Sequence, residues 1–166
     1  MKRTVITKLM ILLSAVLVIS SCGGGGGGGN KGGNIAQPTA AVLKIATQGA
    51  LANGTLINGI EVTVVLPAGV TVKSTTNPPE TDSGVVVSSG AGANSEVKTN
   101  YGAGTVGIFL ANATAFGAGE FVTVNCDIAT GSHPAAADFT VSNFKAKDLN
   151  GAAISGLTPG LTADIH

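Results

Sequence analysis

The chain has 166 residues, no Trp, one Tyr and five Phe. Sugar rings stack on flat aromatic faces. A strip of such faces is hard to assemble here, because Phe121, Phe139 and Phe144 already fall in strand patterns. A polysaccharide ligand is therefore poorly served, though it stays open. There are two His. His133 precedes Pro134 in an expected loop, and His166 is the last residue. A zinc site needs three or four clustered ligands, which two separated His do not provide. No Gly-x-Ser-x-Gly occurs, and the adjacent Ser132-His133 is not a nucleophile–base geometry. No catalytic residue, metal or cofactor is expected, and the chain is expected not to be an enzyme.

The N-terminus carries the strongest signal. A cationic start, Met1-Lys2-Arg3-Thr4, precedes an apolar run over residues 9–19, and Ile19-Ser20-Ser21 stands directly before Cys22. This is the order of a signal peptide, with its n-region, h-region and small-residue cleavage site. The run is too short to span a bilayer as a helix. The pattern resembles the bacterial lipoprotein signal, in which an aliphatic residue and two small residues precede an invariant Cys. That resemblance implies cleavage after residue 21 and a mature chain whose first residue, Cys22, carries three acyl chains. One chain binds a membrane marginally, and more than one anchors durably. Gly23, where an acidic residue could stand, implies by the same resemblance the outer membrane, on its periplasmic side or at the cell surface. Membrane lipid is thus one expected partner, reached through Cys22.

Seven consecutive glycines follow at 23–29, then Asn30-Lys31-Gly32-Gly33-Asn34. A phosphate-binding loop needs spaced glycines, a Lys-Ser or Lys-Thr end and a helix after it. None of these is present, so residues 22–38 are expected to be a lipidated Cys and a flexible tether reaching roughly 20 Å. Removing Lys2, Arg3 and Lys8 leaves six Lys and no Arg against nine Asp and Glu, a net charge of −3. Nucleic acid is an unsuitable partner for such a chain. With Cys22 lipidated, Cys126 has no partner for an intrachain disulfide.

Residues 39–166 are the size of one domain, and their pattern is all-β. Residues 60–66 alternate, with Ile60, Val62, Val64 and Leu66 on one face. Residues 105–110 put Val106, Ile108 and Leu110 inward. Residues 120–129 put Val122, Val124, Cys126 and Ile128 on one face and Phe121, Thr123, Asn125 and Asp127 on the other. A period of two over such lengths predicts half-buried strands. Shorter candidates are 41–47, 70–73, 84–88, 96–101, 138–145 and 161–165. The alternation slips between Val141 and Phe144, which predicts a bulge near Ser142-Asn143. Helical turns are expected only at 111–116 and 134–137. Asn53-Gly54, Asn58-Gly59 and Asn150-Gly151 are turn signals. Asp148-Leu149-Asn150-Gly151 resembles the start of a calcium loop but lacks the later ligands, so it reads as a plain turn. About nine strands sharing a core require two stacked sheets, a jelly-roll β-sandwich.

The order of these elements resembles the cohesin module of bacterial scaffolding proteins. Leu56-Ile57-Asn58-Gly59-Ile60-Glu61-Val62-Thr63-Val64-Val65-Leu66-Pro67-Ala68-Gly69-Val70 is similar to the early strand and its Pro-x-Gly turn. Gly117-Ala118-Gly119-Glu120-Phe121-Val122-Thr123-Val124 is similar to the Gly-x-Gly-Glu approach to a core strand. Asp138-Phe139-Thr140-Val141, with Asp148-Leu149-Asn150-Gly151, is similar to the last strand and hairpin. The resemblance implies a nine-stranded sandwich that binds a protein partner, dockerin-like or another envelope protein, through one sheet face. Some cellulose-binding modules share this fold. Turns and core strands speak to fold more than to function. The chain departs from the scaffold pattern in having one module, no repeats and no dockerin of its own.

Two residues are the expected partner-binding positions, Phe109 and Tyr101. Phe109 lies opposite Val106, Ile108 and Leu110 in parity and would stand proud of a sheet among Thr105 and Gly107. It could instead be covered by the connection over 74–83. Cys126, flanked by Asp127 and by inward Val124 and Ile128, reads as a small buried hydrophobe and not as a nucleophile.

Overall fold

The computed structural model describes residues 36–75 and 79–166. The expected signal peptide, Cys22 and most of the expected tether lie outside the described residues. The nine strands are β1 (Ala40–Gln48), β2 (Ile57–Val65), β3 (Val70–Thr71), β4 (Val86–Ser88), β5 (Glu96–Gly102), β6 (Thr105–Phe116), β7 (Glu120–Ile128), β8 (Thr140–Lys147) and β9 (Thr158–Ile165). They form two antiparallel sheets. One runs β3-β7-β1-β9, with β4 also on β7, and the other runs β5-β6-β2-β8. The expected two-sheet sandwich is what forms.

The alternation places the core between the sheets. Leu43 and Ile45 of β1 meet Val62 and Val64 of β2, Val106 and Ile108 of β6, and Val122, Val124 and Cys126 of β7 in one buried cluster. Fully burying an aliphatic side chain of this size contributes about 1.5–3 kcal/mol. β-branched residues dominate because they fit the pleated surface. The predicted bulge is present. Glu61 faces Lys145 and Thr63 faces Ser142, so β8 has one residue more than β2 between these pairs. Asn143 absorbs the kink at φ +53°.

Three expectations about local structure are refined. Residues 111–116 hold no helical turn but extend β6 to Phe116, which pairs with Ile57. The cause is Asn112, whose buried side chain is fully used in place. Its Nδ2 donates to Ser95 Oγ (3.0 Å) and Ala93 O (3.3 Å), and its Oδ1 accepts from Thr114 N (2.9 Å) and Thr114 Oγ1 (2.8 Å). A helical turn would break this network and leave buried polar atoms unpaired. The second helical turn is present, but it is a 3₁₀ turn over Ala136–Asp138, starting two residues later and ending one later than expected.

The third case is Phe121, expected to face away from the core. It is fully buried within it. Ile45 pairs with Val122 while Ala46 pairs with Glu120, so Phe121 is the extra residue of a bulge. The period of two therefore breaks at the start of β7. The 3₁₀ turn Gly90–Gly92 closes over it. A Cβ on Gly92 would lie 2.8 Å from the Phe121 Cα, Cβ and O, so only Gly fits there.

Asp148 is a turn residue, as expected. Its Oδ1 accepts from the Asn150 and Ala152 amides, both at 2.9 Å, and Gly151 takes φ +75°. Among the described residues no group of three or more His, Cys, Asp or Glu is placed to hold a metal ion. Cys126 is 3% exposed. Burial, and next the charge of Asp127, push its thiol up to about 12. It therefore stays a neutral thiol, which suits a packing role.

Candidate functional site on the outer face of the four-stranded sheet

The strand order β5-β6-β2-β8 turns single outward residues into rows across one face. The pairings give a first row of Glu96, Ala111, Gly59 and Lys147. A second row is Lys98, Phe109, Glu61 and Lys145. A third is Asn100, Gly107, Thr63 and Ser142. Phe109 is thus a ridge between two rows whose central residues are small. It is 49% exposed.

Phe109 differs in setting from the other exposed large apolar residues. Leu56 and Leu149 stand in turn segments, and Val87 lies in the other sheet. Phe109 is the one on an inner strand of the four-stranded sheet, on its outer face. The connection over 74–83, in its described part, does not cover it. That segment runs along the edge of β5 instead, where Thr81 N donates to Thr99 Oγ1 (3.0 Å) and Tyr101 N donates to Pro79 O (2.8 Å). It caps β5 against pairing with a further strand.

The charges of this face are mostly matched within it. Lys145 Nζ lies 3.1 Å from Glu61 Oε2, and Lys98 Nζ lies 3.6 Å from Glu96 Oε1. Both pairs are solvent-exposed, so each contributes about 1 kcal/mol or less. Lys147 has no ion pair among the described residues. Beside Phe109, a shallow trough of about 320 Å³ is lined by Gly59, Glu61, Glu96, Lys98, Ala111, Lys145 and Lys147, among others.

The structure does not bring Tyr101 to Phe109. Tyr101 shares parity with Val97 and packs, half-buried, against the core from the inner face of the sheet. Phe109 pairs with Lys98 and faces outward. The sequence reading did not find Glu61, Lys98, Lys145, Lys147, Gly59 or Ala111. The parity of each was readable along its own strand. Their meeting depends on which strands are neighbours, and no local pattern encodes that.

A sandwich of two antiparallel sheets with this strand order has a cohesin-like fold. Among solved structures the chain is similar to a non-cellulosomal cohesin from the hyperthermophilic archaeon Archaeoglobus fulgidus. The TM-score is 0.52 with 13% identity, over 72% of this chain and 75% of that one. No protein-family model matches the sequence, and no curated protein matches it.

Proposed function

We propose that this chain is a non-catalytic, cohesin-like binding module. Lipid at Cys22 holds it in the bacterial envelope, in the outer membrane. The outer face of β5-β6-β2-β8 receives a protein partner, dockerin-like or another envelope protein. The observation that carries this reading is Phe109, a large aromatic left half-exposed on an inner strand of the sheet, among small and polar neighbours. Aromatic anchors surrounded by small and polar residues are common centres of protein interfaces. A polysaccharide ligand is less well served. Its platform needs several outward rings, while Tyr101 and Phe121 face the core.

The docking reading is tested with the lipidated protein in detergent, by pull-down from envelope extract with wild type and Phe109→Ala. Because Phe109 is half-exposed, the variant is expected to unfold within about 1 kcal/mol of wild type. It is also expected to lose the captured protein. Loss of stability instead would make Phe109 a core residue. Retention on insoluble polysaccharide with no protein captured would favour the sugar reading.

Anchoring is tested separately. Intact mass of the membrane fraction should give a chain beginning at Cys22 with added acyl mass, and Cys22→Ala should accumulate as the uncleaved precursor. A mature start elsewhere, or no acyl mass, would sink the lipid anchor.

A further inference from the structure

We infer that the trough beside Phe109 is a socket for one apolar side chain of the partner, and that the partner carries a carboxylate next to that side chain for Lys147. The inference rests on the outer face being the docking face and adds the chemistry of what docks. The floor of the trough is Gly59 and Ala111, neighbours across β2 and β6. Phe109, one row away, forms its apolar wall. Glu96 and Lys147 stand at the two ends of the floor row. Small residues in the middle of a sheet leave a depression that a partner's side chain can fill. The floor then gives it apolar contact, and Phe109 gives it an aromatic flank.

Asn58-Gly59, a turn signal in the sequence, lies within β2, and neither a positive φ nor a close contact requires glycine at 59. A Cβ there would meet only Leu110 O, at 3.5 Å, an ordinary contact, and its φ lies outside the left-handed region. A strand interior gains from a β-branched residue and loses from Gly. The missing side chain costs the strand stability and leaves the depression open.

The charge pattern selects the partner's sign. Over the described residues five Lys stand against nine Asp and Glu, a net charge of −4. The face around the trough goes the other way, with Lys98, Lys145 and Lys147 against Glu61 and Glu96. Glu61 and Glu96 are each within ion-pair distance of a Lys of this face. Lys147 is the cation left over, at the end of the trough. An acidic group beside an apolar side chain completes both. A neutral sugar would leave Lys147 unpaired.

The test selects binders of the full mature protein in detergent from a phage-displayed library of random linear peptides. Enriched peptides are expected to share a large aliphatic or aromatic residue with an Asp or Glu close by. Their affinity should fall about tenfold or more in Gly59→Val, which fills the trough from the floor. It should fall several-fold in Lys147→Glu, and salt should weaken binding to wild type. Gly59→Val is expected to unfold at the same denaturant concentration as wild type or higher. Ala111→Leu fills the same space from the neighbouring strand and serves if Gly59→Val folds poorly. The socket is overturned by a lack of enrichment, by enriched basic peptides, or by peptides that bind the filled variants as well as wild type. Polysaccharide retention that Gly59→Val abolishes would overturn it too. Loss of binding in Phe109→Ala but not in the filled variants would overturn the socket and leave the docking face standing. Retained binding in Phe109→Ala would remove the face itself.

Discussion

Phe121→Ala is expected to lower the stability of the domain by about 3–5 kcal/mol, read as a shift in the denaturant midpoint with an unchanged slope. The side chain is fully buried, and it is the extra residue of the bulge that opens β7. The turn Gly90–Gly92 packs directly on its backbone and Cβ. Truncation therefore leaves a cavity that the bulge and turn hold open, and such sites relax little. Phe121→Leu keeps most of the volume and should cost clearly less. If Phe121→Ala unfolds within about 1 kcal/mol of wild type, the ring is not a core residue and the bulge does not aim it inward.

Cys126→Asp is expected to cost several kcal/mol at neutral pH, because it places an unpaired charge between the sheets. Cys126→Ala should cost far less. The wild-type thiol gives a second readout. Its folded-state value, about 12, lies above its ordinary value of 9.0. The folded protein therefore holds this proton more tightly than the unfolded chain. The resulting stability is complete below about pH 9 and is lost as pH rises from 9 towards 12. Wild type should become less stable over that window by more than Cys126→Ala does. A thiol reagent should label Cys126 only after denaturation. Rapid labelling of the native protein at pH 8 would mean that Cys126 does not point into the core.

The alternation was the legible part. Ile60, Val62 and Val64, Val106, Ile108 and Leu110, and Val122, Val124, Cys126 and Ile128 all read as inward, and all are buried. Each strand carries its own inside and outside, because side chains alternate along it whatever lies next to it. The bulge at Asn143 was legible for the same reason, as a break in that period. The bulge at Phe121 was not. Phe121 and Val122 are adjacent apolar residues, which a period of two assigns to opposite faces, and the extra residue exists only relative to β1, where Ile45 and Ala46 face Val122 and Glu120. The extension of β6 past Leu110 was hidden likewise. Ala-Asn-Ala-Thr-Ala has no strong preference, and Asn112 is held by Ala93 and Ser95 from a distant segment.

The candidate site divides along the same line. The sequence by itself determined that Phe109 faces away from the core, because parity is a local property. It also determined the scarcity of aromatic rings. Only the tertiary structure decided that Tyr101 belongs to the inner face and that Phe109 stays uncovered. It alone put Gly59, Ala111 and Lys147 in one row beside Phe109, because β2, β6 and β8 become neighbours only when the sheet closes. Strand order is fixed by long-range pairing and by the fit of two sheets around one core, which no single segment of the chain contains.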